Sequence, residues 1–182
     1  AGWRPRSAAL GAALLAGGIN LFPPNRVEDT AYADYAVAPV TLPEHTNPRA
    51  FWVNNSLASL LDDSEPPRYA RYVQHLRRIL LDDLALRGKT VLVLGAGGFT
   101  LSHREPSNRY TYVDIDPKIR EIAETRFLRV PIRGEFVVDD ARRYVRATAE
   151  RYDAVVVDVF SSHTSIPGHL VTREFWQDAR RA

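Results

Sequence analysis

The feature that most constrains the fold is an apolar strand that runs directly into a glycine-rich turn. Residues 91–98 read VLVLGAGG, which places Gly95, Gly97 and Gly98 straight after four apolar residues. An uninterrupted apolar run is typical of a parallel strand that is buried on both faces. Glycines after such a strand let the backbone approach a ligand closely, although a plain strand-to-helix turn would use them as well. We therefore predict a strand at residues 90–94 and a turn that opens a helix and binds a nucleotide.

An acidic residue follows at the expected distance. Asp114 ends a predicted strand at residues 110–115. An acid about 20 residues beyond the glycine turn can accept hydrogen bonds from both ribose hydroxyls of a nucleotide. Asp116 precedes Pro117, so we interpret Asp116 as the N-cap of the next helix.

The rest of the chain alternates between helical and strand patterns. Such alternation predicts a parallel sheet with right-handed crossovers, that is, a Rossmann-like α/β domain. Because four parallel strands would leave an open edge, we expect further C-terminal strands to be missing from this chain or supplied by another. The predicted helices cover residues 68–86, 117–128, 140–149 and 172 onward, and the two later strands cover residues 135–138 and 152–157.

The later strands also end in acidic residues. Asp139 and Asp140 follow the third strand; one of them would cap the next helix and the other would face the crevice, where Asp140 could read an adenine amino group. Asp158 follows the fourth strand, and a carboxylate there needs a positive partner such as a sulfonium, an ammonium or an arginine. The polar residues beyond it are typical of a loop over a pocket and include Ser161, His163 and His169.

The first 65 residues have a different character. Residues 7–22 are uncharged and apolar, which is short for a bilayer span of about 20 residues. The end of a transmembrane helix, a signal-peptide core and a buried helix all remain open for this segment. Residues 26–65 alternate short β-prone runs with proline and asparagine, which predicts a small antiparallel hairpin module with a tight turn at Asn54 and Asn55. We thus divide the chain into 1–25, 26–65 and 66–182.

Composition narrows the function classes. The 182 residues contain no cysteine, which excludes disulfides and thiolate chemistry, and we expect no metal. The net charge is only +2 and no dense basic run occurs, so we expect no nucleic-acid partner. Methionine is absent even at position 1, so we expect the chain to be a piece of a longer protein.

The ordered motifs together resemble the spermidine synthase (polyamine aminopropyltransferase) family over about residues 30–182. The resemblance implies the fold of S-adenosylmethionine-dependent methyltransferases, with Asp114 on the ribose, Asp140 on the adenine and Asp158 near the sulfonium-side amine. It also implies transfer of an aminopropyl group from decarboxylated S-adenosylmethionine to a diamine such as putrescine. The motifs that carry the resemblance are VLVLGAGG at 91–98, VDIDP at 113–117, VDDAR at 138–142, YDAVVVD at 152–158 and HLVTREFW at 169–176.

The chain departs from the family at the amine-handling positions. The family's catalytic loop reads Asp-Ser-Thr-Asp-Pro, whereas Ser161 stands here in place of the second aspartate, the proposed base. A serine hydroxyl is a poor base at neutral pH, so His163 or His169 would have to substitute. Ala58 replaces the usual glutamine, and Arg71 replaces a glutamate. This pattern resembles the membrane-fused spermidine synthase-like proteins.

We therefore predict a protein that binds S-adenosylmethionine or its decarboxylated form, with Asp158, Ser161 and His163 as catalytic candidates. Gly95, Gly97, Gly98, Asp114, Asp139, Asp140 and Asp158 are the candidates for nucleoside binding. The alternatives are a methyltransferase and a catalytically degenerate structural subunit of a membrane complex. We expect a membrane-associated chain with a cytoplasmic α/β domain, with a soluble cytoplasmic protein as the alternative. A homodimer or a membrane-complex subunit is the expected assembly.

Overall fold

The computed structural model describes residues 27–159 and 166–182, which form two sheets. The first sheet is antiparallel, and its five strands lie side by side in chain order. The second is parallel, and its four strands lie in the spatial order third, second, first and fourth along the chain. This arrangement is the α/β, Rossmann-like architecture that the sequence predicts, preceded by a β-rich module. The predicted apolar segment 1–25 lies outside the described residues.

The antiparallel sheet is built from short strands with tight connections. Asn54 and Asn55 have φ values of 49° and 60°, which confirms the predicted hairpin turn. Inside the predicted helix at residues 68–86, residues 68 and 69 instead pair with residues 61 and 62 as a short strand. The strands are β1 (Val27–Asp29), β2 (Asp34–Pro39), β3 (Pro48–Val53), β4 (Ser56–Asp62) and β5 (Arg68–Tyr69).

The parallel sheet and its helices follow the predicted order. The strands are β6 (Thr90–Leu94), β7 (Arg109–Asp114), β8 (Glu135–Val138) and β9 (Ala154–Val157). The helices are α1 (Arg71–Arg77), α2 (Ile119–Ile122), α3 (Ala141–Ala147) and α4 (Arg173–Arg181). Helix α1 continues as a π-helical segment at Arg78–Asp83, α2 continues likewise at Ala123–Phe127, and Gly168–Leu170 forms a 3₁₀ turn.

Strand β6 is buried on both faces, as its apolar run predicts. Val91 and Val93 point into a core shared with the antiparallel sheet, where Phe51 and Phe127 also pack. Leu92 and Leu94 point to the other face, where they meet residues of α3 and α4. Because side chains alternate along a strand, this division accounts for the unbroken apolar pattern.

The structure contradicts the predicted membrane association. Among the helices of residues 27–159 and 166–182, none is long and apolar enough to cross a membrane. The helices there are at most nine residues long in their regular part, whereas a span needs about 20.

Candidate functional site

The site is built around the turn that follows β6. The Gly95 amide donates to the Val113 carbonyl at 2.8 Å, and the Asp158 amide donates to the Leu94 carbonyl at 2.8 Å. Gly95 has a φ of +88°, and a Cβ there would lie 2.2 Å from the backbone oxygen of Asp158. Only glycine fits both the conformation and the close approach, so this residue sets the spacing between β6 and the end of β9.

The turn does not open a helix, so that part of the sequence prediction is wrong. Residues 96–105 form successive tight turns instead, in which the amides of Phe99, His103 and Glu105 each reach back three residues. Phe99 and Arg104 have φ values of 54° and 51°, outside the helical region, which interrupts any regular helix. A ligand at this turn would therefore meet single backbone amides rather than a helix N-terminus.

The other two glycines have different surroundings. Gly97 has a φ of +50° and nothing within 4 Å of a would-be Cβ, so its place on the turn is open. A Cβ on Gly98 would lie 2.4 Å from the ring of Phe127, which gives Gly98 a packing role. Nucleoside contact by either glycine stays a prediction.

Asp114 lies at the end of β7, beside the glycine turn. Its Oδ2 accepts the Ala96 amide at 2.8 Å and its Oδ1 accepts the Asp116 amide at 3.0 Å. Burial raises the pKa of Asp114, backbone hydrogen bonds oppose this, and the charge of Asp116 adds to it. Two amides thus fix the carboxylate, and each oxygen keeps a lone pair for a further donor.

Asp158 lies on the other side of the same turn, at the end of β9. Burial raises the pKa of Asp158, and the nearby Tyr72 hydroxyl opposes that rise. The Tyr72 hydroxyl also lies 2.8 Å from the Ala58 carbonyl, in β4 of the antiparallel sheet. Tyr72 itself remains 40% exposed.

Asp139 and Asp140 follow β8, and the structure gives each a partner. Asp140 is the N-cap of α3, and its Oδ1 accepts the Arg143 amide at 2.9 Å. The other oxygen of Asp140 lies 3.3 Å from Nε2 of His169, and Asp139 forms an ion pair with the Arg143 side chain. Capping thus falls to Asp140, and its contact with adenine stays a prediction.

Two of the three predicted catalytic residues cannot be placed. Ser161 and His163 lie outside the described residues, so their roles stay predictions. Asp158, the third, lies against the glycine turn. His169 lies on the 3₁₀ turn beside Asp140.

The site has features that the sequence patterns did not identify. Ile115 and Val138, next to Asp114 and Asp139, are large apolar side chains that remain about half exposed. Exposed apolar groups at the carboxyl edge of a parallel sheet can cover the face of a planar ring. Within the part of the chain that the structure describes, no Lys, Arg or His nitrogen lies within 4 Å of the carboxylates of Asp114 or Asp158.

Together these features define a class: a Rossmann-like α/β domain with acidic residues and a glycine turn at the carboxyl edge of its parallel sheet. In sequence the chain is similar to proteins named polyamine aminopropyltransferase. It is 32% identical over 99 residues to that of Vibrio vulnificus (strain CMCP6), covering 50% of this chain and 33% of the relative. The chain is 32% identical over 104 residues to the polyamine aminopropyltransferase of Sulfurisphaera tokodaii, covering 50% of this chain and 34% of the relative. The chain thus spans about a third of the length of these relatives.

A solved structure gives the same fold. A probable spermidine synthase from Corynebacterium glutamicum ATCC 13032 superposes with a TM-score of 0.68 over 88% of this chain and 60% of that one, at 20% identity. No protein-family model matches the chain. The predicted resemblance to aminopropyltransferases and the predicted fold class are confirmed.

Proposed function

We propose that this chain forms the nucleoside-binding part of an aminopropyltransferase that uses decarboxylated S-adenosylmethionine and a diamine such as putrescine. The observation that carries the proposal is the pair of carboxylates on either side of one glycine turn. The Ala96 amide donates to the Asp114 carboxylate, and Gly95 lies against the backbone carbonyl of Asp158. The ribose would bind at Asp114, and the adenine would lie against Ile115 and Val138.

The charge of the site favours a cationic nucleoside. Asp114 and Asp158 are partly buried, and no cation of the described residues lies within 4 Å of either. A buried carboxylate without a positive partner is costly, and a bound cation removes that cost. Decarboxylated S-adenosylmethionine carries a sulfonium and an ammonium and has no carboxylate. S-adenosylmethionine retains a carboxylate, which Asp158 would repel.

The transfer is an in-line displacement at the carbon next to the sulfonium. The nitrogen of a neutral amine forms the new C–N bond, the C–S bond breaks, and its electron pair goes to sulfur, which leaves as a neutral thioether. The attacking nitrogen then gives up one proton. Burial raises the pKa of Asp158, which makes its carboxylate a stronger base than an exposed aspartate and suits it to accept that proton.

Calorimetric titration of the full chain with both nucleosides tests the binding step. We expect decarboxylated S-adenosylmethionine to bind at least about tenfold more tightly than S-adenosylmethionine, because the latter places a like charge beside Asp158. Asp82→Asn, on the exposed end of the π-helical segment, is the matched control and should bind as the wild type does. If neither nucleoside binds, the proposal fails; if S-adenosylmethionine binds more tightly, methyl transfer replaces it.

Turnover is measured separately, by chromatography of products formed from putrescine and decarboxylated S-adenosylmethionine. We expect spermidine and methylthioadenosine to form in equal amounts. Binding without any product would contradict the catalytic part of the proposal and leave a nucleoside-binding protein.

A further inference from the structure

Asp116 is a buried carboxylate to which the proposed reaction assigns no role. Its side chain is 1% exposed. Its Oδ1 accepts the Lys118 amide at 2.9 Å, at the start of the turn before α2, so it helps to begin that helix although the N-cap position itself falls on Lys118. Its other oxygen faces the antiparallel sheet.

The partner of that oxygen is the hydroxyl of Thr30, in the turn between β1 and β2. The Thr30 Oγ1 lies 2.6 Å from Oδ2 of Asp116. The same Oγ1 accepts the amides of Tyr32 and Ala33, at 3.1 and 3.0 Å, so the turn is built around this oxygen. The Ala33 carbonyl is also 3.0 Å away, but the single hydroxyl proton goes to the carboxylate, which is nearer and charged.

The contact continues into the nucleoside site. The Asp116 amide donates to Oδ1 of Asp114, and Oδ2 of Asp114 accepts the Ala96 amide of the glycine turn. Tyr35, in β2, is buried beside both carboxylates, and burial together with the charges of Asp114 and Asp116 raises the pKa of Tyr35. A line of hydrogen bonds therefore runs from the first turn of the antiparallel sheet to the amide of the glycine turn.

We propose that Thr30 is a positioning residue of the nucleoside site: by holding Asp116, it fixes the backbone that orients Asp114 toward the ribose. The role rests on the proposed function, because Thr30 acts on a nucleoside only through Asp114. Through Thr30, the antiparallel sheet contributes to nucleoside affinity as well as to stability. A Thr30 that only stabilised its own turn would change the melting temperature and leave the affinity unchanged.

The test compares Thr30→Val, which has the same shape without the hydroxyl, with Thr30→Ser, which keeps it. Affinity for decarboxylated S-adenosylmethionine is measured by calorimetry, at a temperature where circular dichroism shows each variant folded. We expect Thr30→Val to bind about tenfold more weakly, the effect of one charge-assisted hydrogen bond, and Thr30→Ser to stay within about twofold of the wild type. Thr125→Val, which loses an exposed hydroxyl bond to the Glu121 carbonyl, is the control and should bind normally.

Amide hydrogen exchange of the ligand-free protein gives a second readout. We expect the amides of Ala96 and Asp116 to exchange faster in Thr30→Val than in the wild type, because both donate to Asp114. Unchanged affinity in a folded Thr30→Val would overturn the positioning role of Thr30, whatever the exchange rates are. A wild-type protein that binds no nucleoside would overturn the proposed function instead, and the exchange rates would still decide whether Thr30 holds Asp114.

Discussion

Asp114 and Asp158 end the two strands that flank β6, yet the protein holds these two carboxylates in different ways. Asp114 accepts two backbone amides, from Ala96 and Asp116, whose positions the fold determines. The Asp158 carboxylate instead lies near a side-chain hydroxyl, that of Tyr72 in α1. Backbone donors cannot rotate away, whereas a tyrosine side chain can. In the proposed function, the ribose end of the site would thus be fixed before a ligand arrives, and the amine end could adjust.

The largest effect should follow from Asp114→Asn. The amide keeps the shape but puts an NH₂ against either the Ala96 amide or the Asp116 amide, and it removes the charge that a ribose would contact. We expect affinity for decarboxylated S-adenosylmethionine to fall about 100-fold, the sum of two charge-assisted hydrogen bonds. Calorimetric titration measures this. An affinity within about threefold of the wild type would show that Asp114 is not on the ligand.

Gly95→Ala should have the next largest effect. It tests whether one turn determines the positions of both Asp114 and Asp158. The new Cβ would meet the Asp158 carbonyl at 2.2 Å in a left-handed conformation. We expect the free energy of unfolding to fall by about 3 kcal/mol. Gly97→Ala, with a similar φ sign and open space, is the matched control and should cost about 1 kcal/mol. Equal losses in urea denaturation would contradict the role assigned to the contact with Asp158.

The pH dependence of the free energy of unfolding tests whether the pKa of Asp158 is raised in the folded state. Because burial raises the pKa of Asp158 in the folded state, its protonated form favours folding. Its contribution is fully present below the unfolded pKa of an aspartate and is lost as pH rises through the raised folded pKa.

Asp158→Asn should remove that loss. Wild-type stability should therefore fall relative to Asp158→Asn as the pH rises above about 4, the ordinary pKa of an aspartate, measured by urea denaturation at each pH. The two curves share the contribution of Asp114, which cancels in the comparison. Parallel curves would show that Asp158 has an ordinary pKa.

Tyr72→Phe should give the smallest effect. It removes the hydroxyl that donates to the Ala58 carbonyl and lies near Asp158, so we expect a loss of about 1 kcal/mol in unfolding free energy and a further rise in the pKa of Asp158. Affinity for a neutral nucleoside such as methylthioadenosine should stay unchanged, since the ribose end is intact. Tyr32→Phe, on an exposed ring, is the control. A change in methylthioadenosine affinity would contradict the independence of the ribose end and the amine end of the site.

The sequence predicts the parallel sheet well because burial determines its pattern. Strands at residues 90–94 and 135–138 match their predicted bounds, since an apolar run ends where the strand leaves the core. Asp114, Asp139 and Asp158 likewise lie at or next to the strand ends that the pattern places them at.

The features that the sequence did not predict correctly, or did not predict at all, depend on tertiary contacts. The turn after Gly95 does not become a helix, because Phe99 takes a positive φ and its ring is buried against Tyr112. The bond from Thr30 to Asp116 joins residues 86 positions apart and leaves no periodic trace in the sequence. The sequence pattern predicts Tyr72 only as an apolar position of a helix. The tertiary packing of α1 brings it near Asp158.

Phe127 packs between the two sheets, and its contacts limit the substitutions that the chain can accept. Its ring lies 5.3 Å from the ring of Phe51 in β3 and occupies the space beside Gly98 where a Cβ would stand. A substitution at any one of these three positions changes the room available to the other two. We therefore expect homologues to exchange these residues together, and a chimaera that joins the antiparallel sheet of one homologue to the parallel sheet of another to fold only when all three come from the same parent.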